Sequence, residues 1–220
     1  MAMIPLSRDV FYPESDGKPM AETPWHLEEM FYLFGGVKDH FRDAADVYVG
    51  ANQFLYYVEG DPRRVVAPDL FVVRGVPKLP ARGTYKLWKE GRPPCLVVEI
   101  TSDSTRNEDL VTKRRCYELL GVEEYFLFDP LGDYLQPRLQ GHRLVTGRYQ
   151  QASLERDGAL ISRTTGILFQ VEEQRLRLFD IGTGKPFLRN EEKLDRLQRL
   201  EELEEENARL RRELERRPAD

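Results

Sequence analysis

The sequence is poor in metal-binding and redox-active side chains. It has two cysteines, Cys95 and Cys116, and three scattered histidines, His26, His40 and His142, in 220 residues. Both cysteines lie in apolar patterns without metal-ligand spacing, so they read as reduced core residues of a cytoplasmic protein. No CxxC pair, HExxH helix, Gly-rich phosphate loop or GxSxG elbow is present, which leaves zinc-ribbon, zincin, kinase and serine-hydrolase readings without support. No run approaches the roughly 18 apolar residues of a membrane-spanning helix. The opening MAMIPLSRDVFYPESDG lacks a basic stretch followed by an apolar one, so no secretory signal is expected. An excess of basic residues is missing too. Lys and Arg number 33 against 38 Asp and Glu, a net charge of −5. That argues against a broadly basic nucleic-acid binder but leaves room for a nuclease, whose metal site is itself acidic.

What is present suffices for a core. Hydrophobic residues make up 40% of the chain, with 11 Phe and 10 Tyr, which excludes global disorder. The charge is unevenly spread. Arg189 to Asp220 holds 11 acidic and 9 basic residues in 32 positions, with no aromatic and no glycine. The pattern predicts a globular body over 1–186 and a charged helical tail over 187–220, with GTGKP at 182–186 as the hinge. In the tail, Leu200, Leu203, Leu210 and Leu214 share a heptad seam with Asn207 at an a position. A buried a-position Asn favours a parallel two-stranded register, and Arg199–Glu204 and Glu206–Arg211 would pair across it. A homodimeric coiled coil and a solitary helix held by pairs such as Glu205–Arg209 both fit this pattern.

In the body, Thr23-Pro24 opens an amphipathic helix over about 22–42, weakened at Gly35-Gly36. Strands are expected over 46–49, 53–58, 65–73 (VVAPDLFVV), 95–101 (CLVVEIT) and 124–128 (EYFLF). A helix over 107–120 should end at Gly121, and short hairpins should fill 142–181. This order predicts a mixed α/β sheet, α+β in character.

Three residues stand where physical chemistry disfavours them. Asp69 lies between apolar neighbours beside Pro68, which removes a backbone donor. Either it carries chemistry or the strand stops at Ala67 and Asp69 caps a turn. Glu99 lies in the apolar CLVVEIT and needs a cation, either in a site or in a structural bridge to an Arg. Lys113 falls in the middle of the stripe formed by Leu110, Cys116, Tyr117 and Leu120. Either it reaches into a site or its stem lies on the core with the ammonium at the rim. Together, two carboxylates on neighbouring strands suit a divalent cation. A nearby Lys can orient water or steady the charge on a phosphate.

The segments VVAPDLFVV, PPCLVVEITSDST, DLVTKRRCYELLGVEEYFLFDP and LQGHRLV closely resemble the Uma-two family of restriction-endonuclease-type proteins, of the PD-(D/E)XK nuclease superfamily. The resemblance covers roughly residues 10–180. It implies a restriction-endonuclease-like core, a central mixed sheet flanked by helices, and a metal-dependent endonuclease acting on DNA with Mg²⁺ or Mn²⁺. Asp69 matches the PD aspartate and Glu99 the second acidic residue. Thr101 stands where the short ExK pattern has its lysine, and Lys113 on the following helix matches the displaced one. The carbonyl of Ile100 would be a backbone metal ligand. Glu22 is a further acidic candidate, in competition with Glu28 and Glu29. Tyr117 and Tyr125 read as core or as walls of the site. A catalytically inactive adaptor, working through its helical tail, is the alternative. Arg63-Arg64, Lys86–Arg92 and Arg114-Arg115 are the nearest candidates for a DNA track, but none is a basic stripe interleaved with aromatics and ordinary solvated surface is the simpler account of each.

Overall fold

In a computed structural model the structure describes residues 10–15, 17, 23–102 and 106–215. The chain divides into two compact units, residues 1–186 and 187–220.

The first unit begins with α1 (Pro24–His40), followed by β1 (Val47–Gly50), β2 (Leu55–Tyr56), β3 (Val65–Val66), β4 (Leu70–Arg74) and β5 (Tyr85–Lys86). Next come the one-turn helix α2 (Leu87–Glu90), β6 (Leu96–Ile100), a π-helical turn (Glu108–Lys113), α3 (Arg114–Leu120) and β7 (Glu124–Phe128). The hairpin strands are β8 (Leu139–Val145), β9 (Arg148–Gln151), β10 (Leu160–Ser162), β11 (Ile167–Glu172) and β12 (Arg175–Asp180).

The main sheet has six strands in the order β1-β4-β6-β7-β8-β9. All its neighbours run antiparallel except β6 and β7. A parallel pair needs a crossover, and the π turn with α3 provides it. Every residue of β6 and β7 is buried, because both faces of the sheet are covered at its centre. One face carries Phe71, Val97, Tyr117, Tyr125 and Leu127 in a common core. On α1, the buried positions Met30, Leu33 and Val37 recur at helical spacing, and the helix packs on β1, β4, β6 and β12. The sheet β10-β11-β12 comes close to β8 at Gly141, where a Cβ would lie 2.5 Å from the Leu160 side chain. A third small sheet, β3-β2-β5, completes the unit.

The mixed α+β architecture agrees with the sequence reading. Thr23 caps α1, its Oγ1 accepting from the His26 N–H at 3.3 Å, and Pro24 occupies the first turn. The helix runs through Gly35-Gly36 without a break. Gly121 ends α3 at φ 81°. Two expectations need correction. VVAPDLFVV is not one strand. Pro68 lacks an N–H for the ladder, and β3 and β4 belong to different sheets on either side of it. The helix over 107–120 is not uniformly α, since residues 108–113 widen into a π turn. Such turns concentrate at functional sites.

In the second unit, α4 (Asn190–Glu215) is a single helix. Leu200, Leu203 and Leu210 are between 40% and 48% exposed, and the Asn207 amide donates to the Leu203 carbonyl at 3.0 Å. Among the described residues, no helix is long and apolar enough to cross a membrane.

Candidate active site

The antiparallel register of β4 and β6 pairs Leu70 with Val98 and Phe71 with Val97. Continued by one residue, it sets Asp69 opposite Glu99. Directly opposed residues project from the same face of a sheet, so the two carboxylates converge. Both therefore sit on the side covered by the π turn and α3.

The carboxylates are tied to each other's strands. Asp69 Oδ2 accepts from the Ile100 N–H at 2.7 Å. The Asp69 N–H donates to Glu99 Oε2 at 3.3 Å. Because the chain breaks at Pro68, Asp69 is not locked into a ladder and its side chain can turn across to β6. Its other oxygen, Oδ1, lies 3.1 Å from His26 Nε2, in the first turn of α1. Glu99 is almost wholly enclosed, with its side chain 1% exposed. Its Oε1 accepts from the Tyr117 hydroxyl at 2.7 Å, and Lys113 Nζ stands 3.1 Å from Oε2. The same ammonium lies 2.9 Å from Asp109 Oδ1, four residues earlier in the π turn. The backbone carbonyl of Asp109 accepts from Tyr125 Oη at 3.0 Å, which pins the turn to β7.

The sequence candidates Asp69, Glu99 and Lys113 are thus brought together. Lys113 does not snorkel, since its side chain is 12% exposed and its ammonium faces inward. The cation beside Glu99 is this lysine, not an arginine. Glu28 and Glu29 are engaged elsewhere. Glu28 meets Arg175 at 2.9 Å on the surface, and Glu29 Oε2 accepts from the Leu176 N–H at 2.9 Å. Glu22 lies outside the described residues. Tyr117 and Tyr125 are both core and wall, buried yet bonded to the acidic cluster. Sequence reasoning missed His26 and Asp109. His26 shares the buried face of α1 with Glu29 and Leu33, and Asp109 precedes Lys113 by the four-residue spacing of a helical ion pair. Both signals were present.

Electrostatics separate the roles. The Glu99 carboxyl is pushed up to about 8 overall: burial raises it most, Lys113 pulls against that rise, and Asp69 and Asp109 add to it. Burial works against the Lys113 ammonium, but Glu99, Asp109 and Asp69 together outweigh it and hold its pKa above the ordinary lysine value. Lys113 therefore stays charged at neutral pH and acts as a cation and donor, not as a base. Fully ionised, the carboxylates of Asp69, Glu99 and Asp109 face one ammonium, a net −2 (1 − 3), a state the raised Glu99 carboxyl reaches only above about 8 unless a bound cation displaces its proton.

That imbalance equals the charge of one divalent cation. The donors also fit. Asp69 and Glu99 offer hard oxygens on opposed strands, and the Ile100 carbonyl follows directly. The Thr101 hydroxyl is buried without a hydrogen-bond partner among the described residues. No cluster of three or more His, Cys, Asp or Glu side chains forms a ligand set among the described residues. Hard oxygen donors of this kind suit a cation such as Mg²⁺, which keeps several waters and takes one or two carboxylates, better than zinc.

Comparison with known proteins gives a family and a fold. The model of the Uma2 family, described as "Putative restriction endonuclease", matches residues 5–178. A solved structure from Anabaena variabilis ATCC 29413, titled as a putative nuclease belonging to DUF820, superposes with a TM-score of 0.51 at 14% identity. The match covers 67% of this chain and 76% of the Anabaena chain, and it shows the shared fold. A search of curated proteins gives no match.

Proposed function

The chain belongs to the Uma2 family, and from that premise we propose that it is a metal-dependent endonuclease hydrolysing phosphodiester bonds of DNA. The observation that carries this reading is the enclosed cluster of Asp69, Glu99, Asp109 and Lys113, in which one ammonium stands between Glu99 and Asp109 and the ionised carboxylates leave a net −2. Residues 1–186 form the nuclease domain and residues 187–220 a helical tail that pairs with a second copy. The two unpaired cysteines, Cys95 and Cys116, suit a cytoplasmic setting.

Asp69, Glu99 and the Ile100 carbonyl would hold Mg²⁺ or Mn²⁺, which when bound offsets phosphate charge and lowers the pKa of an attacking water. The protein supplies the rest. His26 fixes the orientation of Asp69 through Oδ1. Tyr117 occupies Glu99 Oε1 and so aims Oε2 at the shared space. Asp109 holds the Lys113 ammonium beside Glu99 Oε2. From there it can donate to a non-bridging phosphate oxygen and stabilise the charge that builds up on it.

The test is cleavage of supercoiled plasmid by the purified full chain in Mg²⁺ or Mn²⁺. Nicked and linear products that disappear in EDTA, and in Asp69→Asn and Glu99→Gln, are the expected result. Intact plasmid under every metal condition would refute the proposal.

A further inference from the structure

Of the three basic segments on the surface, Arg63-Arg64 has both cations engaged internally and Lys86–Arg92 has its first. Arg63 forms a two-pronged pair with Asp61 at 2.8 and 3.1 Å, and Arg64 shares the same carboxylate at 3.7 Å. Lys86 lies over the Tyr12 ring at 4.8 Å. A cavity beside α1 is also lined by cations, but Arg82 there pairs with Glu90 at 2.7 Å and covers the Tyr48 ring, and Lys38 covers the Phe34 ring.

The third segment differs. Arg114 and Arg115 begin α3, directly after Lys113, and β9 brings Arg148 beside them. With Leu110, Val111 and Glu118 they line a half-open cleft of about 330 Å³. Arg114 and Arg115 form no ion pair among the described residues. The Arg114 Nε–H is buried and has no hydrogen-bond partner among the described residues. A buried guanidinium donor left unpaired is costly. Glu118 is already committed, accepting from the Tyr149 N–H at 2.6 Å and from Arg148 at 3.1 Å. The cleft therefore carries three positive charges against one negative, a net +2 (3 − 1), on a protein whose whole charge is −5.

We propose that the Arg114–Arg115–Arg148 cleft is a subsite for a backbone phosphate of the nucleic acid, flanking the bond to be cut. Guanidinium forks match phosphate oxygens in pairs, which point charges such as lysine do not. The helix that carries the cleft also carries Lys113, so a phosphate held here would set the register of the strand relative to the Asp69–Glu99 cluster. The inference rests on the nuclease reading, but binding tests it without any cleavage.

The experiment is fluorescence anisotropy of a labelled DNA duplex with the full chain in EDTA, repeated over a series of salt concentrations. Each phosphate neutralised on a duplex contributes about 0.9 to the slope of log affinity against log salt. Arg114→Gln/Arg115→Gln/Arg148→Gln should weaken binding about tenfold or more and reduce that slope by about 1. Arg63→Gln/Arg64→Gln should leave both unchanged. Triple replacement by Lys, which keeps the charge without the fork, should restore the slope and only part of the affinity. Circular dichroism melting confirms that each variant is folded, and Arg114→Gln alone substitutes should the triple variant unfold. A slope and affinity equal to wild type would overturn the proposal. So would stabilisation of the wild type by inorganic phosphate in a melt without any DNA binding, which would assign the cleft to a free anion. Loss of slope in a protein that never cuts DNA would keep the subsite and refute the nuclease reading instead.

Discussion

His26 Nε2 lies 3.1 Å from Asp69 Oδ1, joining the first turn of α1 to the break between β3 and β4. The imidazole is 6% exposed and orients the more accessible of the two site carboxylates. His26 is thus a positioning residue. Partners that orient a metal-binding carboxylate are commonly worth about 10–100-fold in metal affinity or activity. His26→Ala should therefore lower Mn²⁺ affinity and cleavage together by about that factor, while His26→Gln recovers part of it through its amide N–H. Mn²⁺ titration by calorimetry, run beside a cleavage assay, checks this.

The ammonium of Lys113 is shared by Glu99 and Asp109, at 3.1 and 2.9 Å. Removing it leaves two enclosed carboxylates without a cation, which costs about 3–5 kcal/mol in comparable buried pairs. Lys113→Met should be strongly destabilised in metal-free buffer. Adding Glu99→Gln should restore much of the loss, because the burden is the unpaired charge and not the missing stem. Urea unfolding of the two single variants and the double variant measures that coupling.

Tyr117 donates to Glu99 Oε1 and thereby lowers a carboxyl that burial raises. Without the hydroxyl, Glu99 should titrate higher still. If cleavage requires ionised Glu99, activity of the wild type rises with pH through about 8, and Tyr117→Phe shifts that rise to more alkaline pH. The pH–rate profiles of the two proteins, at subsaturating metal where proton and cation compete for Glu99, decide it.

His142 on β8 is held at about 4 by burial first and by the neighbouring Arg114 charge second, against an ordinary 6.5. The unfolded chain binds a proton between these values and the folded chain does not. Stability is therefore fully present above 6.5 and is lost as pH falls towards 4. Allowing for partial exposure, the loss is on the order of 2 kcal/mol. His142→Phe should flatten this part of the stability–pH curve, as followed by urea midpoints.

Glu99 and Glu124 show how far the sequence could be read. Both are acids in apolar strands, and CLVVEIT and EYFLF look alike on paper. Glu124 accepts from Ser162 Oγ, Thr164 Oγ1 and the Arg163 N–H, and pairs with Arg143 at 3.1 Å. It is a structural rivet between the sheets, while Glu99 meets a carboxylate, a lysine and a tyrosine. Periodicity placed both strands, and β7 matched residue for residue. No local signal distinguishes the two acids, because their partners come from segments 14 to 40 residues away in the chain. Lys113 was legible, since a charge inside an apolar stripe is an error unless it has a partner. The π turn was not. Its extra residue per turn depends on the Tyr125 bond to the Asp109 carbonyl and on the ion pair beneath it, both contacts of the finished fold. The split of VVAPDLFVV was half legible in Pro68, whose missing donor allowed the strand to stop at Ala67 but gave no sign of a change of sheet.

The central claim is that the opposed carboxylates of Asp69 and Glu99 form a divalent-metal centre. Anomalous scattering from crystals grown with Mn²⁺ tests it most directly. The account predicts a peak at the Asp69–Glu99 pair that vanishes in Glu99→Gln. Mn²⁺-dependent cleavage by a protein whose anomalous peak lies elsewhere, with the Asp69–Glu99 pair empty, would contradict it.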